Sequence, residues 1–149
     1  MRTPILGLLA VLILCAAARA EPPPANLMPR GISGSGWNVM NLDAERAWYE
    51  AKLGMKMVRS YDRQGKPFEY IMAFEGTPEG GAILALLASP LRKPGPNTTG
   101  RLILRVPDSA ALAAHLARQG VESRLVAPGA YFLSDPEGNA IELYTPPKG

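Results

Sequence analysis

The sequence predicts an α+β domain made of two successive βαβββ units. Three observations carry this reading. Helical stretches at 43–53 and 108–119 each end on a glycine, Gly54 and Gly120, the residue best suited to the left-handed conformation that follows a last helical turn. Each stretch is preceded by one short apolar strand and followed by three. The two sets are divided by Pro90-Leu-Arg-Lys-Pro-Gly-Pro-Asn-Thr-Thr99, too rich in chain breakers to belong to either.

Taken in chain order, residues 1–20 read as a secretory signal peptide. Arg2 supplies positive charge, and the apolar run from Ile5 to Cys15 is too short for a comfortable membrane span. Ala18-Arg19-Ala20 then offers a small-x-small cleavage pattern. Leu14 is too large for the usual lipoprotein site at Cys15, so a cleaved leader is the expectation. Residues 21–30, with Pro22, Pro23, Pro24 and Pro29, read as an extended arm. Residues 31–147 form one domain, with its first unit at about 31–90 and its second at about 98–147.

The first unit opens with a strand at 33–40. Its helix at 43–53 takes Asp43 as cap, with Ala47, Trp48 and Leu53 as an apolar stripe. Strands follow at 56–61, 69–74 and 82–88, the last two joined by a turn through Gly76-Thr-Pro-Glu-Gly-Gly81. The second unit repeats the plan. A strand at 101–106 leads to Asp108 as cap of a helix whose Leu112, Ala113 and Leu116 share one face. Strands at 122–126, 130–134 and 140–144 complete it. The last pair flanks Asp135-Pro-Glu-Gly-Asn139, a tight turn.

Composition excludes several function classes. The chain has 16 Lys and Arg, 13 Asp and Glu, and a formal charge of +3. The leader holds two of the basic residues and none of the acids, which leaves a mature charge of +1. Nucleic acid as partner and stable membrane insertion after cleavage are therefore not expected. The single cysteine, Cys15, lies in the leader, so the mature protein has no disulfide, thiolate nucleophile or Cys-ligated metal. The only histidine, His115, sits mid-helix and reads as structural. Ser33, Ser35 and Ser89 lack a histidine partner at any motif spacing, which removes support for a serine nucleophile. Gly31-Ile-Ser-Gly-Ser-Gly36 precedes a strand, not a helix, and is no phosphate loop. Asn97-Thr-Thr99 is a glycosylation sequon by pattern only.

The final strand alternates, with Ile141 and Leu143 on one face and Glu142 and Tyr144 on the other. A carboxylate in mid-strand needs water, a cation or a ligand beside it. This hairpin, Asp135-Pro-Glu-Gly-Asn139 with Ile141-Glu142-Leu143, resembles the last one of the vicinal-oxygen-chelate superfamily of glyoxalases, bleomycin- and fosfomycin-resistance proteins and extradiol dioxygenases. Asn41 through Gly54, with Trp48-Tyr49 and Leu53-Gly54, is similar to that superfamily's first helix. Val106-Pro107-Asp108 and the following helix keep the same plan. The resemblance spans 32–146. It implies two βαβββ modules forming a cup-shaped mixed sheet with the helices outside.

Within that frame, alternation turns Trp37 and Val39 toward the helix and Gly34, Gly36, Asn38 and Met40 into the cup. It likewise turns Leu102, Leu104 and Val106 outward and Arg101, Ile103 and Arg105 inward. The resemblance implies four metal-ligand points, which by counting and by matching Pro90 to Pro146 fall on Gly34, Leu86, Arg101 and Glu142. Only Glu142 could bind a divalent ion, so no metal and no other cofactor is expected. Arg101 is expected to pair with Glu142 or to present its guanidinium fork to an anionic ligand. Asn38, Arg101, Arg105 and Glu142 are the ligand-binding candidates, with Tyr70, Tyr131 and Tyr144 as an aromatic wall.

Three functions remain open at this point. One is an exported, metal-free domain that binds a small organic molecule. A second is a glyoxalase-like lyase or isomerase with Glu142 as catalytic base or metal ligand. A third is a structural or interaction domain with a filled cup. The linker at 90–99 allows modules paired within one chain or exchanged in a homodimer.

Overall fold

A computed structural model of the chain describes residues 32–78, 81–93 and 95–147, the side chains of 97–99 excepted. The expected leader at 1–20 and arm at 21–30 lie outside the described residues. The observed order is β1 (Gly34–Val39), α1 (Leu42–Leu53), β2 (Lys56–Arg63), β3 (Lys66–Ala73), β4 (Ile83–Ala88), β5 (Asn97–Arg105), α2 (Ser109–Ala117), β6 (Ser123–Ala127), β7 (Ala130–Ser134) and β8 (Asn139–Tyr144). This is the βαβββ plan twice over. The strands form two four-stranded mixed sheets, ordered β1-β4-β3-β2 and β5-β8-β7-β6. In each, the first strand lies parallel to the last, and the remaining pairs are antiparallel.

Local chemistry sets the element ends. The N-cap of α1 is Asn41, whose side chain accepts the Ala44 N–H at 3.1 Å. Asp43, expected to be the cap, lies in the first turn and instead accepts the Tyr70 hydroxyl at 2.9 Å. Gly54 closes α1 at φ 69°. Asp108 caps α2 as expected, accepting the Ala111 N–H at 2.9 Å. β2 and β3 run longer than the sequence indicated because Gln64 and Gly65 join them in a two-residue turn with φ 53° and 74°. That twist matches the right-handed twist of the flanking strands and lets pairing continue to the turn.

The buried face of α1 also differs from expectation. Ala47 is exposed, Trp48 and Leu53 are partly buried, and Leu42, Glu45 and Tyr49 are the residues taken into the interior. The core lies between helices and sheets, with Trp37, Val39, Tyr49 and Leu86 from the first module joining Leu104, Leu116, Ile141 and Leu143 from the second in one continuous cluster. The side chains turned away from the helices leave the other sheet face open: Leu87, Ile103 and Val58 are exposed there. Among the described residues no helix is long and apolar enough to cross a membrane.

Candidate functional site

Strand register decides which side chains share the open face. Gly34, Gly36 and Asn38 stand beside Ile83, Ala85 and Leu87, and Arg101, Ile103 and Arg105 beside Ala140, Glu142 and Tyr144. Phe132 on β7 lies against Glu142 from the other side. Arg101, Arg105, Glu142 and Tyr144 of the expected inward set are therefore on one face of the second sheet, and Asn38 is on the first sheet, apart from them. Tyr70 and Tyr131 are on neither open face. Tyr70 pairs with Leu86 and is buried against α1, and Tyr131 pairs with Leu143 and packs on the core. The aromatic wall thus reduces to Tyr144, and Phe132 supplies the ring that sequence reading missed.

Arg101 and Glu142 form the centre of this face. Arg101 Nε donates to Glu142 Oε2, and the guanidinium carbon lies 5.2 Å from the centroid of the Phe132 ring. Glu142 is 9 % exposed, a burial that a lone carboxylate would not tolerate without a cation beside it. The Arg101 side chain is 48 % exposed, and its Nη groups carry no partner among the described residues. Arg105 has no ion-pair or hydrogen-bond partner there either. Asn38 is exposed beside Ser89 and Arg92 in a separate groove of about 490 Å³.

A second constellation was not read from the sequence. The turn Asp135-Pro-Glu-Gly-Asn139 is folded inward against α1 of the other module. Glu137 accepts the Met40 N–H and the Asn41 N–H, each at 2.8 Å, placing its charge at the positive end of the helix. Asp135 accepts the Tyr49 hydroxyl at 2.9 Å and the Asn139 N–H at 2.7 Å. Glu45 faces this pair and is wholly buried, with its carboxyl set against Asp135 and the Glu137 backbone. Burial, and then the charge of Asp135, push its carboxyl up to about 8. Desolvation and the same aspartate also raise the Tyr49 hydroxyl. Gly138 is required in this turn: at φ 83°, a Cβ would fall 2.7 Å from the Gly95 carbonyl oxygen. The available sequence signal was spacing, since Leu42, Glu45 and Tyr49 recur at helical intervals on one face.

The residues from 36 to 143 match the family model of the Glyoxalase/Bleomycin resistance protein/Dioxygenase superfamily. The chain belongs to that superfamily.

Solved structures agree with this glyoxalase-type fold. TnmS3 of Streptomyces sp. CB03234, described as an antibiotic binding protein, is 24% identical with a TM-score of 0.63, covering 78% of this chain and 96% of its own. Glyoxalase I of Leishmania major is 22% identical with a TM-score of 0.61, covering 78% and 87%. The fosfomycin resistance protein FosX of Mesorhizobium loti is 18% identical with a TM-score of 0.61, covering 80% and 94%. At these identities the likeness establishes the fold. A comparison with curated proteins finds no match.

Against the superfamily's four metal-ligand points, register corrects one position. Gly34 pairs with Ile83 and Arg101 with Ala140, so the residue equivalent to Glu142 is Ala85, not Leu86, which points into the core. Gly34 has no room for a donor side chain, because a Cβ there would meet the Ile83 carbonyl oxygen at 2.4 Å. Arg101 brings a positive charge to the third point. The four residues thus supply one carboxylate, already engaged by a guanidinium, and they fit a divalent ion poorly.

Proposed function

We propose that this glyoxalase-fold domain is exported and metal-free, and binds a small organic molecule on its open face around Arg101 and Glu142. The observation that carries the reading is the ion pair. Glu142 holds Arg101 by Nε over Phe132, and the Arg101 side chain remains 48% exposed. That arrangement suits a flat ligand bearing a carboxylate or phosphonate, held by the exposed guanidinium and lying against its plane. The antibiotic-binding and fosfomycin-resistance neighbours support a small organic ligand. Export rests on the leader pattern of residues 1–20. Two other readings receive less support. A base at Glu142 would need its carboxylate free of Arg101, and a filled cup is at odds with Ile103 remaining 54% exposed.

The test is a titration of the mature protein with 2-naphthoate and with the uncharged 2-naphthalenemethanol. Saturable binding of the acid, weakened about tenfold or more in Arg101→Met, is the expected result. Equal affinity for acid and alcohol would overturn the proposal. Turnover of a thiohemiacetal, abolished in Glu142→Gln, would establish the lyase reading in its place.

A further inference from the structure

We infer that the seam between the two modules is a second binding site, shaped for a small amphiphilic monoanion such as a medium-chain carboxylate. A cavity of about 460 Å³ opens there between the start of β4 and the length of β5, within the size range of small-molecule sites. Its walls are apolar. Met55, Phe74, Ile83 and Leu84 line it from the first module, and Leu102, Ile103 and Leu104 from the second. Among the described residues one charged side chain lines it, Arg105, and it has no partner among them.

The backbone adds donors beside that charge. β5 is the end strand of its sheet and pairs with β8 alone. Val106 donates its N–H to Tyr144 of β8 at 2.9 Å. Peptide groups alternate in direction along a strand, so the N–H and C=O of Ile103 and Arg105 point the other way, into the seam. An apolar trough that ends at a guanidinium with no partner among the described residues, beside open backbone N–H groups whose neighbouring carbonyls favour a head group of single charge and small size, matches a ligand with a hydrocarbon body and one anionic head. A neutral apolar molecule leaves those donors unanswered, and a cation is repelled by Arg105. Ile103 stands beside Glu142, but neither Arg101 nor Glu142 lines this cavity, and the inference does not depend on the proposal made for that pair.

Octanoate, octanol and octylammonium share one body and differ in the head group, so calorimetric titration of the mature protein with each isolates the anion. Octanoate is expected to bind saturably, at least tenfold more tightly than octanol, with no binding of octylammonium. Arg105→Met should weaken octanoate about tenfold or more, and Arg105→Lys should retain most of the affinity. The Met55 methyl resonance should shift on addition of octanoate and not of 2-naphthoate. Saturating 2-naphthoate should leave the octanoate titration unchanged; competition between them would merge the two sites and overturn the inference. Equal affinity for octanoate and octanol would overturn it, as would no saturable octanoate binding by the wild-type protein. So would a seam filled by a second copy of the chain, detected as a dimer that octanoate fails to perturb.

Discussion

The carboxylate of Glu137 accepts the backbone N–H of Asn41 at 2.8 Å, across 96 positions of sequence. Asn41 is the N-cap of α1, and Glu137 stands in the last turn of the other module. The turn is thereby a clasp between modules as well as a connection between β7 and β8.

Removing the clasp should cost more than an ordinary surface change. Glu137→Ala strips the acceptor from both the Met40 and the Asn41 N–H and is expected to destabilise the fold by about 3 kcal/mol, as lost hydrogen bonds to a charged group do. Glu137→Gln retains an acceptor oxygen without the charge and should cost about 1 kcal/mol. Urea denaturation of both variants checks the order; two neutral substitutions would show that the clasp contributes nothing.

Glu45 makes stability depend on pH. Its folded-state pKa of about 8 lies above the ordinary carboxyl value of 4.5. Between those limits the folded protein holds a proton that the unfolded chain releases. The contribution of this group is therefore most favourable below the unfolded value and is lost as pH rises toward and through the folded one. Wild-type stability should fall between pH 6 and 9 by an amount on the order of 3 kcal/mol relative to Glu45→Gln. Parallel pH profiles for the two proteins would rule out a neutral, buried Glu45.

The Arg101–Glu142 pair should respond asymmetrically. Arg101→Met leaves a nearly buried carboxylate without its cation and is expected to cost about 2 kcal/mol. Glu142→Gln frees a guanidinium that already reaches solvent and should cost about 1 kcal/mol or less. A double-mutant cycle measures the coupling directly, and additive losses would mean the pair has no energetic weight.

Elemental analysis checks the metal-free proposal, and a stability measurement checks the crowding at Gly34. Elemental analysis of mature protein prepared without chelator should find less than about 0.1 zinc, nickel, iron or manganese per chain. Gly34→Ala should destabilise the domain by about 2 kcal/mol, because its Cβ meets backbone and not a flexible side chain. Metal near one equivalent per chain, lost in Glu142→Gln, would restore a metal centre.

Export predicts a defined N-terminus. Material recovered from a secreting host should begin at Glu21; an intact chain starting at Met1 would refute cleavage after Ala20.

The sequence by itself determined the module plan, the faces of β1, β5 and β8, and the central pair. Those features rest on short-range rules: capping at Asp108, the helix-ending glycines, and the alternation that separates Ile141 and Leu143 from Glu142. Where local spacing was ambiguous, the sequence misled. Matching prolines put Leu86 opposite Glu142 in place of Ala85, and tyrosines at 70 and 131 were placed on the open face although their register turns them toward the core. Only the tertiary structure decided the fate of Glu45, Asp135 and Glu137. A polar turn and a helical glutamate carry no local mark of burial, and they become buried because two modules far apart in sequence close over them. The seam beside Arg105 arose in the same way, from the free edge of β5 meeting the first module, a relation set by packing and not by any neighbouring residue.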